Sequence, residues 1–347
     1  MKSSMGSVIR ILTFSFSMIS ASSVVAQMDD EDGDRRLPIQ QELTAPGPHG
    51  LLRGTLSLPV ADGAPPDGVP VVLIVPGSGP TNRDGNSPLG ISAAPYALLA
   101  EALAERGIPS VRIDKRGMFG SADAIPDANE VTITAYGDDV LAWARAIRER
   151  LPTTEGGTRC VLPLGHSEGG LVVLAAIARL PDPCGLILVS TPGRPLGTVL
   201  REQLHANPAN APILNEADEA ITTLERGEQV NANTLNPALQ PLFAPEVQGY
   251  LIDAFAYDPA ALIAETRVPV LIVQGMSDLQ VGEADARRLA DSAPEVILSL
   301  VPDVNHVLKS VSSHDTAANL AAYADPDLPI AQNVVVTVTQ FLEQIDE

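Results

Sequence analysis

Gly165-His166-Ser167-Glu168-Gly169 sets a serine in the pattern Gly-x-Ser-x-Gly. A serine hydroxyl attacks an acyl carbonyl only when a base removes its proton, and the base must itself be held by an acid. The pattern serves that chemistry when a strand precedes it and a helix follows, because the sharp turn then presents the hydroxyl at the mouth of the helix. Both flanks are present. Val161-Leu162-Pro163-Leu164 is an apolar run, and after Gly170 the stretch Leu171 to Leu180 is apolar and helix-compatible. At such a turn the backbone N–H of Glu168 points to the space where an oxyanion forms.

The serine, the acid and the histidine follow in that order along a chain of this kind. Two of the five histidines precede Ser167, which leaves His205, His306 and His314. His205 lies in a stretch without strand–helix alternation, and His314 follows a serine-rich loop. His306 follows the apolar run Val296 to Val301 after a short loop, Pro302 to Asn305. That puts it at the carboxyl end of a strand, the edge where open α/β sheets bind ligands. His306 is therefore the expected base. Asp278 follows Val268 to Val273 and the turn Gln274-Gly275-Met276-Ser277, and is the expected acid. Its rivals Asp253 and Asp258 have no strand before them, and Asp285 sits in a helical pattern.

An oxyanion needs a second N–H donor, expected from the loop after the third strand. Pro76-Gly77-Ser78-Gly79-Pro80 follows the apolar run Val71 to Val75. The N–H of Ser78 is the favoured donor and Gly79 the alternate, since Pro76 and Pro80 carry no N–H. A phosphate loop is the competing reading of these glycines, but the Gly-Lys-Ser/Thr ending is missing. The Glu168 carboxylate beside the serine either acts on the substrate or a loop, or is simply a helix-start acid favoured by the helix dipole. No metal-ligand spacing and no dinucleotide fingerprint is found, so neither metal nor cofactor is expected.

The elements that must position these groups alternate. Leu51 to Leu58 reads as an edge strand, Val71 to Val75 as a strand buried on both faces, and Ser110 to Ile113 as a short strand. Helical spacing runs over Tyr96 to Arg106 and Ala135 to Arg150. The elbow strand and its helix come next, then a strand at Leu186 to Val189. Pro195 to Glu265 loses the alternation and reads as a mainly helical insertion. Strands at Val268 to Val273 and Val296 to Val301 resume it, with helices at Glu283 to Ala290 and near Ile330 to Gln344. Such alternation predicts an α/β fold, a mostly parallel sheet flanked by helices.

Composition sets the class and the compartment. The chain has 347 residues, 45% hydrophobic but only 3% aromatic, so it can build a large core that must be mostly aliphatic. A net charge of -21 argues against nucleic acid and anionic membrane surfaces as partners. Lys2 and Arg10 form a positive region ahead of a short apolar segment, Ile11 to Ile19, and Val24-Val25-Ala26 fits a cleavage site before Gln27. Residues 1–26 thus read as an export signal, with a retained anchor as the competing reading, and the mature protein is expected in the periplasm or outside the cell. Residues 27–50 read as a linker, 51–194 and 266–347 as two parts of one core, and 195–265 as the insertion. Cys160 and Cys184 each precede an apolar strand. If those strands are parallel neighbours, the thiols share one sheet edge and are expected to form a disulfide after export.

Taken together, these segments resemble the α/β-hydrolases, close to bacterial carboxylesterases that carry a Gly-His-Ser-Glu-Gly-Gly elbow. Three further segments match that pattern. They are Pro76 to Gly85, Asp114-Lys115-Arg116-Gly117, and the pair Val273 to Asp278 with Pro302 to His306. The resemblance spans roughly Leu51 to Leu342. It implies hydrolysis of carboxylic esters, often of short acyl chains, through an acyl-serine intermediate, and it supports Ser167, Asp278 and His306 as the triad. It also implies that the insertion is a helical cap over the acyl pocket. Two positions depart from relatives: Pro76 where histidine is frequent, and Phe119 where glycine is. A second reading is an aminopeptidase or amidase resembling the prolyl aminopeptidases, with Glu216, Asp218, Glu219, Glu225 and Glu228 available to hold a substrate amino terminus. A third, of another class, is a catalytically silent binding protein.

Overall fold

A computed structural model describes residues 38–59, 65–154, 156–312 and 315–345. The export signal expected at 1–26 and His314 lie outside them. Among the described residues, eight strands build one sheet: β1 (Ile39–Pro46), β2 (Leu51–Leu58), β3 (Val71–Val75), β4 (Ser110–Ile113), β5 (Val161–His166), β6 (Leu186–Val189), β7 (Val270–Gly275) and β8 (Val296–Val301). Their spatial order is β1-β2-β4-β3-β5-β6-β7-β8. The first two pairings, β1 with β2 and β2 with β4, are antiparallel, and every later neighbour is parallel.

Every residue of β3, β5, β6 and β7 is buried, because helices cover both faces of the sheet. Side chains alternate across a strand, so β3 serves two cores. Val71, Leu73 and Val75 pack with α2 (Ile133–Arg150) and α3 (Glu168–Ile177). Val72 and Ile74 pack with α1 (Pro95–Ala104) and with the last helix, Gln332–Ile345. Between β6 and β7 lie α4 (Leu196–Ala206), α5 (Leu214–Glu225), α6 (Pro245–Phe255) and α7 (Pro259–Ala264). Three of these, α4 to α6, enclose a hydrophobic cluster of their own, including Leu204, Ile221, Leu224, Phe243 and Phe255. The remaining helices are α8 (Glu283–Asp291), α9 (Thr316–Ala321) and α10, the Gln332–Ile345 segment.

Three readings change. Residues 27–50, expected as a linker, contain β1, and β2 is therefore not the edge strand. The sequence Ile39-Gln-Gln-Glu-Leu-Thr-Ala-Pro46 is mostly polar, and only Leu43 and Ala45 turn inward. An edge strand buries one side chain in two at most, so its apolar signal is weak. The seventh strand starts at Val270 rather than Val268, because Pro269 has no N–H to give a ladder.

Cys160 and Cys184 form a disulfide, with Cα atoms 5.8 Å apart. They stand just before β5 and β6, which are parallel neighbours. Closing this loop of 24 residues stabilises the fold by about 3 kcal/mol in the chain-entropy model.

Candidate active site

Ser167 lies between β5 and α3, with φ 55 and ψ −124. A non-glycine residue there costs about 1–3 kcal/mol and persists only where its surroundings force it. Here the Ser167 N–H donates to the Val189 carbonyl at 2.9 Å, and the Ser167 carbonyl accepts from the Gly170 N–H at 2.9 Å. Gly169 is needed for a different reason: a Cβ on it would overlap the carbonyl oxygen of Val75. The helix begins at Glu168, so the Glu168 N–H belongs to the first turn and has no partner within the helix.

Beyond β8, the chain turns at Asp303 (φ 56), and Asn305 closes the next turn by accepting from the Lys309 N–H at 2.9 Å. His306 stands inside this turn. Its Nδ1 meets Asp278 Oδ2 at 2.8 Å, and the two side chains are 7% and 0% exposed. The other carboxylate oxygen of Asp278 accepts from the Gln280 N–H at 2.8 Å and the Val281 N–H at 3.0 Å. Burial alone would raise the Asp278 carboxyl, but the charge and hydrogen bond of His306 and the two N–H groups outweigh it. The carboxyl is held below its usual range. An ionised Asp278 accepts the Nδ1–H of His306 and leaves Nε2 as the basic nitrogen. The two turns are also tied by backbone bonds, Met276 N–H to Val301 O and Ser277 N–H to Val304 O, each 2.9 Å.

The rivals have other work. His205 is exposed on the insertion and pairs with Asp218 at 2.9 Å. Asp253 accepts from the Ile133 N–H, Asp258 from the Ala260 N–H, and Asp285 from Arg194 and the Gly193 N–H.

Three residues that the motifs did not assign connect these pieces. His166, next to the serine, meets the His306 carbonyl oxygen through Nε2 at 2.8 Å and the Tyr96 hydroxyl through Nδ1 at 2.9 Å. A carbonyl only accepts, so Nε2 carries the proton, and Nδ1 accepts from Tyr96. Burial, reinforced by His306, lowers the His166 pKa to about 3, so this ring is neutral. Tyr96 accepts in turn from the Gly77 N–H at 3.1 Å. Lys115 donates to the Gly77 carbonyl at 2.7 Å and to Glu168 Oε1 at 3.2 Å. His166 and Lys115 both stand in motif segments, but their partners are 38 to 140 residues away in sequence, beyond what spacing reveals.

The loop at 76–80 packs directly on the elbow. A Cβ on Gly77 would sit 3.1 Å from Ser167 Cβ, so only glycine fits there without displacement. Ser78 and Gly79 border a pocket of about 270 Å³, together with Ser167 and Glu168. Leu196, Val199, Leu200, Leu242, Leu251 and Phe255 from the insertion form much of its opposite wall. Among the described residues lining it, Glu168 is the one acid.

The sequence pattern of the alpha/beta hydrolase family matches residues 71–322, well over half of the chain. The chain belongs to the alpha/beta hydrolase family. It is 26% identical over 268 residues to the esterase EstD of Thermotoga maritima, a match covering 76% of this chain and 60% of that protein. The fold is shared with Est1E from Butyrivibrio proteoclasticus, at TM-score 0.54 and 18% identity over 88% of this chain and 98% of that one. It is shared equally with proline iminopeptidase from Mycobacterium smegmatis, at TM-score 0.54 and 18% identity, covering 88% and 99% of the two chains. Within the described residues of this family member, no helix is long and apolar enough to cross a membrane.

Proposed function

We propose that the protein is a serine hydrolase that cleaves carboxylic esters of short acyl chains, a reading supported by a pocket of about 270 Å³. The observation that carries the reading is the contact of His306 Nδ1 with Asp278 Oδ2 at 2.8 Å, on a turn whose carbonyl is bonded to the residue before Ser167. In this reading His306 takes the Ser167 proton through Nε2 as the hydroxyl attacks the ester carbonyl. Asp278 stabilises the imidazolium. The N–H groups of Glu168 and Ser78 receive the oxyanion. The imidazolium then protonates the leaving alkoxide, and water, activated by the same histidine, releases the acid from the acyl-serine. The resemblance to EstD over three quarters of the chain supports an ester as substrate.

The aminopeptidase reading receives less support from the insertion. Glu216 accepts from the Asn236 N–H, while Asp218 and Glu225 pair with His205 and Arg201 on the surface. None of the five acids considered for that role lines the pocket. Export to the periplasm or the medium is part of the proposal, and the Cys160–Cys184 disulfide is consistent with an oxidising compartment.

The test is Ser167→Ala assayed on aryl acetates and butyrates. The expected loss in kcat is about 10⁶-fold. Turnover near the wild-type rate would eliminate the serine mechanism. Proline arylamides assayed beside the esters separate the peptidase reading.

A further inference from the structure

Lys115 follows β4 at the carboxyl edge of the sheet, and its side chain is only 4% exposed. Its ammonium is fully occupied: the Gly77 carbonyl at 2.7 Å, Glu168 Oε1 at 3.2 Å, and the face of Tyr136 with its centroid at 5.1 Å. A buried ammonium is desolvated, a cost that only close partners offset. The identity of those partners is informative. One is the carbonyl of the peptide whose N–H belongs to Ser78. The other is the side chain of Glu168, whose own N–H opens α3.

In a trans peptide the C=O and the following N–H point in opposite directions. Fixing the Gly77 carbonyl therefore fixes the direction of the Ser78 N–H. Glycine supplies no side chain to restrict this peptide, and a Cβ there would press on the Ser167 Cβ at 3.1 Å. The peptide plane must be held from outside. Tyr96 holds the plane before it through the Gly77 N–H, and Lys115 holds the plane after it.

We infer that Lys115 is a positioning residue that keeps the Ser78 N–H aimed at the point where the oxyanion of the acyl transfer forms, beside the Glu168 N–H whose peptide is held by the Ser167 carbonyl bonded to the Gly170 N–H. The inference rests on the esterase reading given above. It assigns Lys115 an effect on the transition state with little on substrate binding. A lysine that merely neutralised Glu168 would affect folding and leave the ratio of kcat to KM effects undirected.

The experiment compares wild type with Lys115→Met and with the double variant Lys115→Met/Glu168→Gln, which leaves no unpaired buried carboxylate. Each is assayed for kcat and KM on an aryl butyrate and for inhibition by an aryl trifluoromethyl ketone, whose serine adduct carries an oxyanion. Misaiming a donor should cost less than deleting one, so kcat is expected to fall about 10- to 100-fold in both variants. KM should stay within about threefold of wild type, and the inhibition constant of the ketone should rise by the same factor as kcat/KM falls. A folded variant with wild-type kcat, or a loss confined to KM, overturns the inference. Circular dichroism identifies folded protein; should the single variant fail to fold, the double variant is judged by the same criteria. Ser167→Ala on the same substrates keeps the two readings apart. If that variant is inactive while Lys115→Met is unaffected, only the role of Lys115 falls.

Discussion

Beneath the pocket, Ser167, Asp278 and His306 stand on turns at strand ends, each pinned by hydrogen bonds from a neighbouring strand or turn. Above it, Leu200, Leu242 and Phe255 stand on a helical insertion that packs around its own apolar cluster, with ion pairs such as Arg201–Glu225 near its surface. In the proposed mechanism the floor needs atoms placed within a fraction of an ångström, because proton transfer and oxyanion stabilisation fall off steeply with misplacement. The roof needs only volume and apolar surface. A sheet rim supplies the first and a separately packed set of helices the second, so changes to the roof should alter which ester is accepted while leaving the chemical step intact.

Substitutions that attack one side alone test that division. The largest effect after loss of the serine belongs to Asp278→Asn. It removes the acceptor that sets the His306 tautomer, and kcat should fall about 10⁴-fold with KM little changed, as steady-state kinetics on aryl acetates would show. Next comes Phe243→Ala, which empties the centre of the insertion's cluster without touching the pocket wall. It should destabilise the insertion by about 3–5 kcal/mol and raise KM for butyrate while kcat on acetate stays within a few-fold. An equal collapse of kcat on acetate would break the separation of floor from roof.

The smallest effect is a pH slope from the floor. His166 has a folded pKa of about 3 against an ordinary 6.5. Between those values the unfolded chain binds a proton that the native chain refuses, so stability is complete above 6.5 and declines as the pH falls. The decline is about 1.4 kcal/mol per pH unit. The carboxyl of Asp278 works in the same direction at lower pH. Its folded pKa lies below the ordinary value, so its contribution is present above the unfolded pKa and is lost as the pH drops through the folded one. His166→Gln should flatten the dependence of the urea midpoint between about pH 6 and pH 4, since the amide does not titrate.

Much of the floor was legible in the sequence because each of its parts lies next to an apolar run. Val71–Val75, Ser110–Ile113, Leu186–Val189 and Val296–Val301 occupy the strands expected of them, and the groups expected at strand ends are found there. The contact of His306 with Asp278 joins two residues chosen only by their place after a strand. What escaped is what depends on pairing. β1 carries few apolar residues, so its existence shows only in its ladder with β2. His166, Tyr96 and Lys115 gain their meaning from partners across the sheet, and no local pattern marks a lysine that bonds a distant glycine carbonyl. In the insertion, a helical composition was readable but the cluster that binds α4, α5 and α6 together was not, since it is assembled from short amphipathic segments of different directions.

The Cys160–Cys184 bridge joins the beginnings of β5 and β6, whereas Ser167 lies past the far end of β5. A reductant that opens it leaves the working rim as it was and loosens the opposite margin of the molecule. Initial rates should hardly register the change. The half-life of activity at elevated temperature should shorten, so the bond is a feature of endurance rather than of speed.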